Sequence, residues 1–193
     1  MNIAVYGAAS SKIDDSYKKA AKELGQRMVE RNFGLVFGGG ANGMMGAVAE
    51  GERERGGRII GVIPTFFHEE SPEVSYPNCT EYIYTDGMRE RKREMEEHAD
   101  AFIIVPGGVG TLDEFFEILT LKQLGRHNKA LVIYNINGFY DALEEMMNTS
   151  IREHFIPHEC KDLYKIMNSA EEILDYISDY DPTDIDVSRV KIR

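Results

Sequence analysis

Ala101-Phe102-Ile103-Ile104-Val105-Pro106-Gly107-Gly108-Val109-Gly110-Thr111-Leu112-Asp113-Glu114 opens as a solid apolar run and closes as a helical pattern. The apolar half reads as a strand buried on both faces. Proline ends it, and glycines then let backbone N–H groups approach a ligand closely. A helix resuming at Thr111 would add unpaired N–H groups and a partial positive charge at its first turn. Strand, glycine bend and helix start together make an anion site suited to a phosphate. The same letters fit a second reading. Thr111-Leu112-Asp113-Glu114 matches a capping box, in which Thr and Glu satisfy the helix start reciprocally.

Working outward from that stretch, the same alternation recurs. Ile3–Tyr6, Leu35–Phe37, Arg58–Pro64, Tyr82–Tyr84, Ala130–Tyr134 and Leu163–Met167 read as further strands. Helical spacing is expected over Asp14–Arg31, from Gly43 through Ala49, and over Gly87–His98, Thr111–Leu124, Tyr140–Glu153 and Ala170–Tyr180. Phe66 to Asn78 reads as a polar loop. Strands that are solid apolar runs alternating with helices predict an α/β, Rossmann-like, doubly wound and mostly parallel sheet with helices on both faces. Ligands of such sheets bind at the carboxyl ends of strands, where Gly7, Gly38–Gly40, Pro64 and Gly107–Gly110 should gather. Residues 1–193 are expected to form a single nucleotide-binding domain, with 181–193 a loose charged tail.

Gly38-Gly39-Gly40-Ala41-Asn42-Gly43 follows a strand and matches G-x-G-x-x-G. A nicotinamide dinucleotide fold would also place an acidic residue about twenty positions on. Ile59-Ile60 stand there instead, which argues against that cofactor and leaves a mononucleotide or a structural turn. On the Gly87–His98 helix, Met88, Arg91, Lys92, Met95 and Ala99 share one inward stripe. Cations on an inward stripe need anions, which a substrate phosphate or Glu114 would supply; the alternative is a solvated helix whose cations snorkel. On the helix after the bend, Leu112, Phe115, Phe116 and Leu119 form one apolar face, and Ile118 and Leu121 a second. A helix apolar on two sides is deeply buried or meets a second subunit, and a homodimer is expected.

The net charge of −11 argues against non-specific binding to nucleic acid or anionic membranes. Cys79 and Cys160 are isolated, no leader pattern opens the chain, and no apolar run reaches membrane-spanning length, so a cytoplasmic protein is expected. The histidines form no metal-site spacing, and no metal or cofactor is expected.

Pro106-Gly107-Gly108-Val109-Gly110-Thr111-Leu112-Asp113-Glu114 resembles the P-G-G-x-G-T-x-x-E motif of the LONELY GUY (LOG) family, whose members are often mislabelled lysine decarboxylases. Met88-Arg89-Glu90-Arg91-Lys92 is similar to the family's M-H-x-R-K, with Arg89 in place of the histidine. Gly38 to Gly46 resembles its G-G-G-x-x-G-L-M-G, with Met44 for leucine, and Gly61-Val62-Ile63-Pro64 its G-V-I-P.

The resemblance implies a homodimeric phosphoribohydrolase that splits the N-glycosidic bond of a nucleoside 5′-monophosphate, a cytokinin riboside monophosphate or AMP. By position it makes Arg91 and Glu114 the catalytic pair. It gives nucleotide contacts to Lys92, Gly107, Gly108, Val109, Gly110, Thr111, Leu112, Asp113 and Thr120, and counts Met88, Gly39 and Gly40 with the substrate-binding residues. Glu69 and Glu70 lie where the family places a further substrate-binding glutamate. Arg91 is expected to depress the Glu114 pKa. The rival expectation is a non-catalytic carrier of a nucleotide or a molybdopterin-type cofactor using the same cradle.

Overall fold

The structure is a computed structural model that describes residues 1–70 and 75–183, and the backbone alone of residues 68–70. Seven strands form one sheet: β1 (Asn2–Tyr6), β2 (Gly34–Phe37), β3 (Ile59–Pro64), β4 (Glu81–Thr85), β5 (Ala101–Ile104), β6 (Ala130–Tyr134) and β7 (Lys165–Met167). Their order is β4-β3-β2-β1-β5-β6-β7. Every pairing is parallel, so the expected mostly parallel sheet is wholly so among the described residues.

Side chains alternate across a strand, and that period divides the core in two. Ile3, Val5, Leu35, Phe37, Ile103 and Val132 face α1 (Asp15–Glu30), α2 (Gly43–Glu54) and α7 (Ala170–Ser178). Ala4, Tyr6, Val36, Phe102, Ile104 and Ile133 face α4 (Met88–His98), α5 (Val109–Gln123) and α6 (Asp141–Arg152). Both faces are covered, which is why β1, β2, β5 and β6 carry no polar side chain beyond Asn2 and Tyr6 and the hydroxyl of Tyr134.

The chain builds outward in one direction from β1 to β4, then crosses back to lay β5 beside β1. The loops after β1 and β5 therefore diverge, and a crevice opens between them at the strands' carboxyl ends. Backbone bonds brace its floor: Ala8 N–H donates to Pro106 O at 3.1 Å, and Met44 N–H donates to Ala8 O at 2.8 Å. Tyr140, from the opposite layer, donates its hydroxyl to Val105 O at 2.9 Å.

Three local expectations are corrected. The stretch expected as a polar loop begins as a short helix, α3 (Thr65–Glu70), and returns to the glycine bend through an antiparallel bridge between Gly40 and Ser75. Helix α5 starts at Val109, with Gly108 at the cap position and no side-chain capping bond, so the capping box at Thr111 does not form. Thr111 is instead buried in the first turn, packed so closely on Gly107 that a Cβ there would overlap its hydroxyl. Met88, assigned to the inward stripe of α4, is 43% exposed because it opens the helix at the mouth of the crevice. Glu69 and Glu70 lie at the end of α3, their side chains outside the described residues, and the expected tail lies outside them from residue 184 onward.

Candidate active site

The crevice holds a cavity of about 460 Å³, within the range of small-molecule sites. Its walls come from the loops after β1, β2 and β3, from the start of α4 and from the start of α5. Helix geometry leaves the first N–H groups of α5 without carbonyl partners one turn back. Gly108 brings no side chain to cap them, and Cβ atoms at Gly108 and Gly110 would meet nothing within 4 Å among the described residues. The α5 start is therefore an open donor surface with positive helix-end character.

Glu114 projects into the cavity one turn further along α5 and meets Arg91 from α4. Arg91 Nη1 donates to Glu114 Oε1 at 3.0 Å, and its Nε donates to Val62 O on β3 at 3.2 Å. The side chains are only 8% and 11% exposed. The guanidinium lies over Gly38, where a Cβ would overlap it, so the absent side chain makes its berth. Gly39 has φ +73°, a left-handed conformation that glycine adopts without steric cost, and lies against Ile63 of β3.

Burial pushes the Glu114 carboxyl above the ordinary carboxylate range; the charge of Arg91 and its hydrogen bond pull the other way without cancelling the rise. The expectation that Arg91 would leave this pKa depressed is thereby overturned, because desolvation at such depth outweighs one cation. Tyr6, at the end of β1, is pushed up by burial first and by the charge of Glu114 second, and stays a neutral phenol. At the rim, Lys92 Nζ donates to Asp113 at 3.1 Å and pairs with Glu117, whose hydrogen bond raises its pKa.

Residues 45–177 match the family model described as "Possible lysine decarboxylase". The chain is 37% identical over 180 residues to the cytokinin riboside 5′-monophosphate phosphoribohydrolase LOG1 of Arabidopsis thaliana, covering 93% of this chain and 84% of that protein. It is 38% identical to the cytokinin riboside 5′-monophosphate phosphoribohydrolase LOG of Oryza sativa subsp. japonica, covering 93% and 74%. The chain belongs to the LOG family. The molybdenum cofactor binding protein of Rippkaea orientalis superposes with a TM-score of 0.69 over 92% of this chain and 94% of its own; at 20% identity the likeness is one of fold.

In this LOG-family chain, the fold brings Arg91, Glu114, Met88, Lys92, Gly39, Gly40, Gly108, Gly110, Thr111 and Asp113 to one cavity. Four other residues named from the family motif stand apart from its walls. Gly107 faces a neighbouring cavity, Val109 turns its side chain to solvent, and Leu112 packs on the core. Thr120 is exposed almost two turns beyond Glu114, about 9 Å along the helix. Ala8, Ser10, Met45, Ile63 and Phe67 line the cavity without having been singled out. Their side chains bear no catalytic signature; Met45 and Ile63 lie within quoted motif stretches, and the rule that loops gather at strand ends pointed to the rest.

Proposed function

We propose that this protein hydrolyses the N-glycosidic bond of a nucleoside 5′-monophosphate, a cytokinin riboside 5′-monophosphate or AMP, releasing the base and ribose 5-phosphate. The supporting observation is the Arg91–Glu114 pair, held at 3.0 Å on the wall of a cavity that also contains the uncapped start of α5. Relatives at 37–38% identity carry the name of this activity.

In this reading the 5′-phosphate rests on the N–H groups that open α5, and remote binding energy holds the sugar against Glu114. Cleavage of C1′–N develops positive charge on the ribose ring. The Glu114 carboxylate stabilises that charge and takes a proton from the attacking water, a role its raised pKa suits. Arg91 fixes the carboxylate's orientation from its bond to Val62 O. Lys92, tied to Asp113 and Glu117, adds positive potential at the rim. Residues 1–193 act as one nucleotide-binding domain in the cytoplasm, where Cys79 and Cys160 stay free thiols.

Chromatography of AMP incubations tests the proposal. Glu114→Gln should retain nucleotide binding and lose release of adenine, and Arg91→Ala should lower the rate at least about a hundredfold. Turnover by Glu114→Gln at the wild-type rate would remove the assigned role. Binding without any free base from the wild-type protein would favour the carrier reading. A homodimer through α5 completes the proposal; of the second apolar side that suggested it, Ile118 is buried in the core and Leu121 remains half-buried. Light scattering that returns a monomer mass would exclude it.

A further inference from the structure

A second cavity of about 370 Å³ lies across the glycine bend from the first. The two share Ala8, Ser10 and Gly108 in their walls, so they adjoin at the start of α5. The first lies over the ends of β1, β2 and β3, the second over the ends of β1, β5 and β6. They flank the point at which strand order reverses, where doubly wound sheets hold ligands that straddle both halves.

The second lobe differs in chemistry from the first. Ile13, Tyr17, Met44 and Phe139 form its walls, and among the described residues no lysine or arginine lines it. Tyr17 and Phe139 meet edge to face at 6.1 Å, and Phe139 remains 45% exposed. The one carboxylate at its rim, Asp14, accepts from Ser16 N at 2.9 Å and repels a free anion. Such a lobe takes an uncharged ring and rejects a phosphate standing alone.

We infer that the second lobe is a subsite for an aromatic or apolar group esterified to the substrate's 5′-phosphate, which makes phosphodiesters of the nucleotide ligands of this protein alongside the monoester. The inference rests on the placement of the phosphate at the start of α5. With the phosphate there and the anomeric carbon at Glu114, the base extends through the first lobe, and a phosphate substituent has the adjoining second lobe within reach across Gly108. Hydrolysis of such a diester adds hydroxide to C1′ and the water's remaining proton to the departing base. Adenosine 5′-(phenyl phosphate) would thus give adenine and ribose 5-(phenyl phosphate).

The test compares AMP with adenosine 5′-(phenyl phosphate), by calorimetric binding and by adenine release, on the full chain. The wild-type protein should bind the phenyl ester at least as tightly as AMP, in competition with it. Phe139→Asp should weaken the ester about tenfold or more while leaving AMP within about twofold, and Phe139→Leu should restore ester binding. Tyr17→Leu, which thins the same wall without adding charge, gives a second reading should Phe139→Asp fail to fold. Failure of the ester to compete with AMP, or equal weakening of both nucleotides by these variants, would overturn the inference. A protein that binds both nucleotides but splits neither would instead sink the hydrolase reading, with the binding comparison still deciding this one.

Discussion

The guanidinium of Arg91 occupies the space in which Gly38 would carry a side chain, so a glycine after β2 sets the position of a cation that α4 delivers. Arg91 is clamped from two further sides, by Val62 O and by Glu114, and has little room to yield. Gly38→Ala should therefore displace it from the carboxylate. The expected outcome is a fall in kcat of about tenfold to a hundredfold, with a lowered melting temperature because a buried ion pair is disturbed. Unaltered turnover by a folded Gly38→Ala protein would show that the berth is not needed.

The raised pKa of Glu114 has a kinetic consequence. A carboxylate that must be ionised to act loses activity as pH falls through its folded pKa, which burial has moved above the ordinary 4.5. The acidic limb of kcat/KM should therefore lie above that value. Arg91 opposes the rise, so in Arg91→Met the limb should move to still higher pH, whatever the residual rate. A limb at or below pH 4.5 in the wild-type protein would contradict the burial argument.

Glu52, on α2, is wholly buried, and among the described residues neither carboxylate oxygen has a hydrogen-bond partner. Desolvation pushes its pKa to about 9. The folded protein thus holds a proton that the unfolded chain releases above pH 4.5. Stability should fall as pH rises from 4.5 to about 9 and then level off, with a cost at pH 7 on the order of 3 kcal/mol. Glu52→Gln should raise the melting temperature at pH 8 and leave it unchanged near pH 4. Melting curves of the two proteins that stay parallel across this range would refute the assignment.

Lys122 gives the opposite slope. It is fully buried on α5, its ammonium donating to Lys129 O at 2.8 Å and to the Tyr180 hydroxyl at 2.9 Å, and burial lowers its pKa to about 8. Here the unfolded chain binds the proton more tightly. The cost is full below about pH 8, shrinks as pH rises, and is gone above the unfolded value of 10.5. Lys122→Met abolishes that titration at similar volume, so its stability relative to wild type should decline between pH 8 and 10.5. Differential scanning calorimetry at several pH values reads this directly; a constant difference would argue against a charged, desolvated lysine.

Lys122 also shows where a linear reading stops. Its letter sits among the polar residues of a helical pattern, yet it extends the buried stripe of Phe115, Ile118 and Leu119. The carbonyl of Lys129 and the hydroxyl and ring of Tyr180, 58 positions away, make that burial tolerable. The helix start misleads in the same way. Thr111 and Glu114 have capping-box spacing, but the cavity and Arg91 claim Glu114, and α5 begins two residues earlier without a side-chain cap.

The sequence by itself determined the alternation of strands and helices, the parallel sheet and the meeting of its glycine loops at one edge. Apolar periodicity and glycine act over a few residues and can be read along a line. It also carried the family resemblance, since motif spacing is a linear property. Tertiary structure alone decided the depth of Glu114, the berth of Arg91 over Gly38 and the second lobe beside Gly108. Each of these depends on which distant segments exclude water from a given atom. A pKa responds to that exclusion in three dimensions, so one cation four letters or forty letters away could not foretell the direction in which Glu114 would shift.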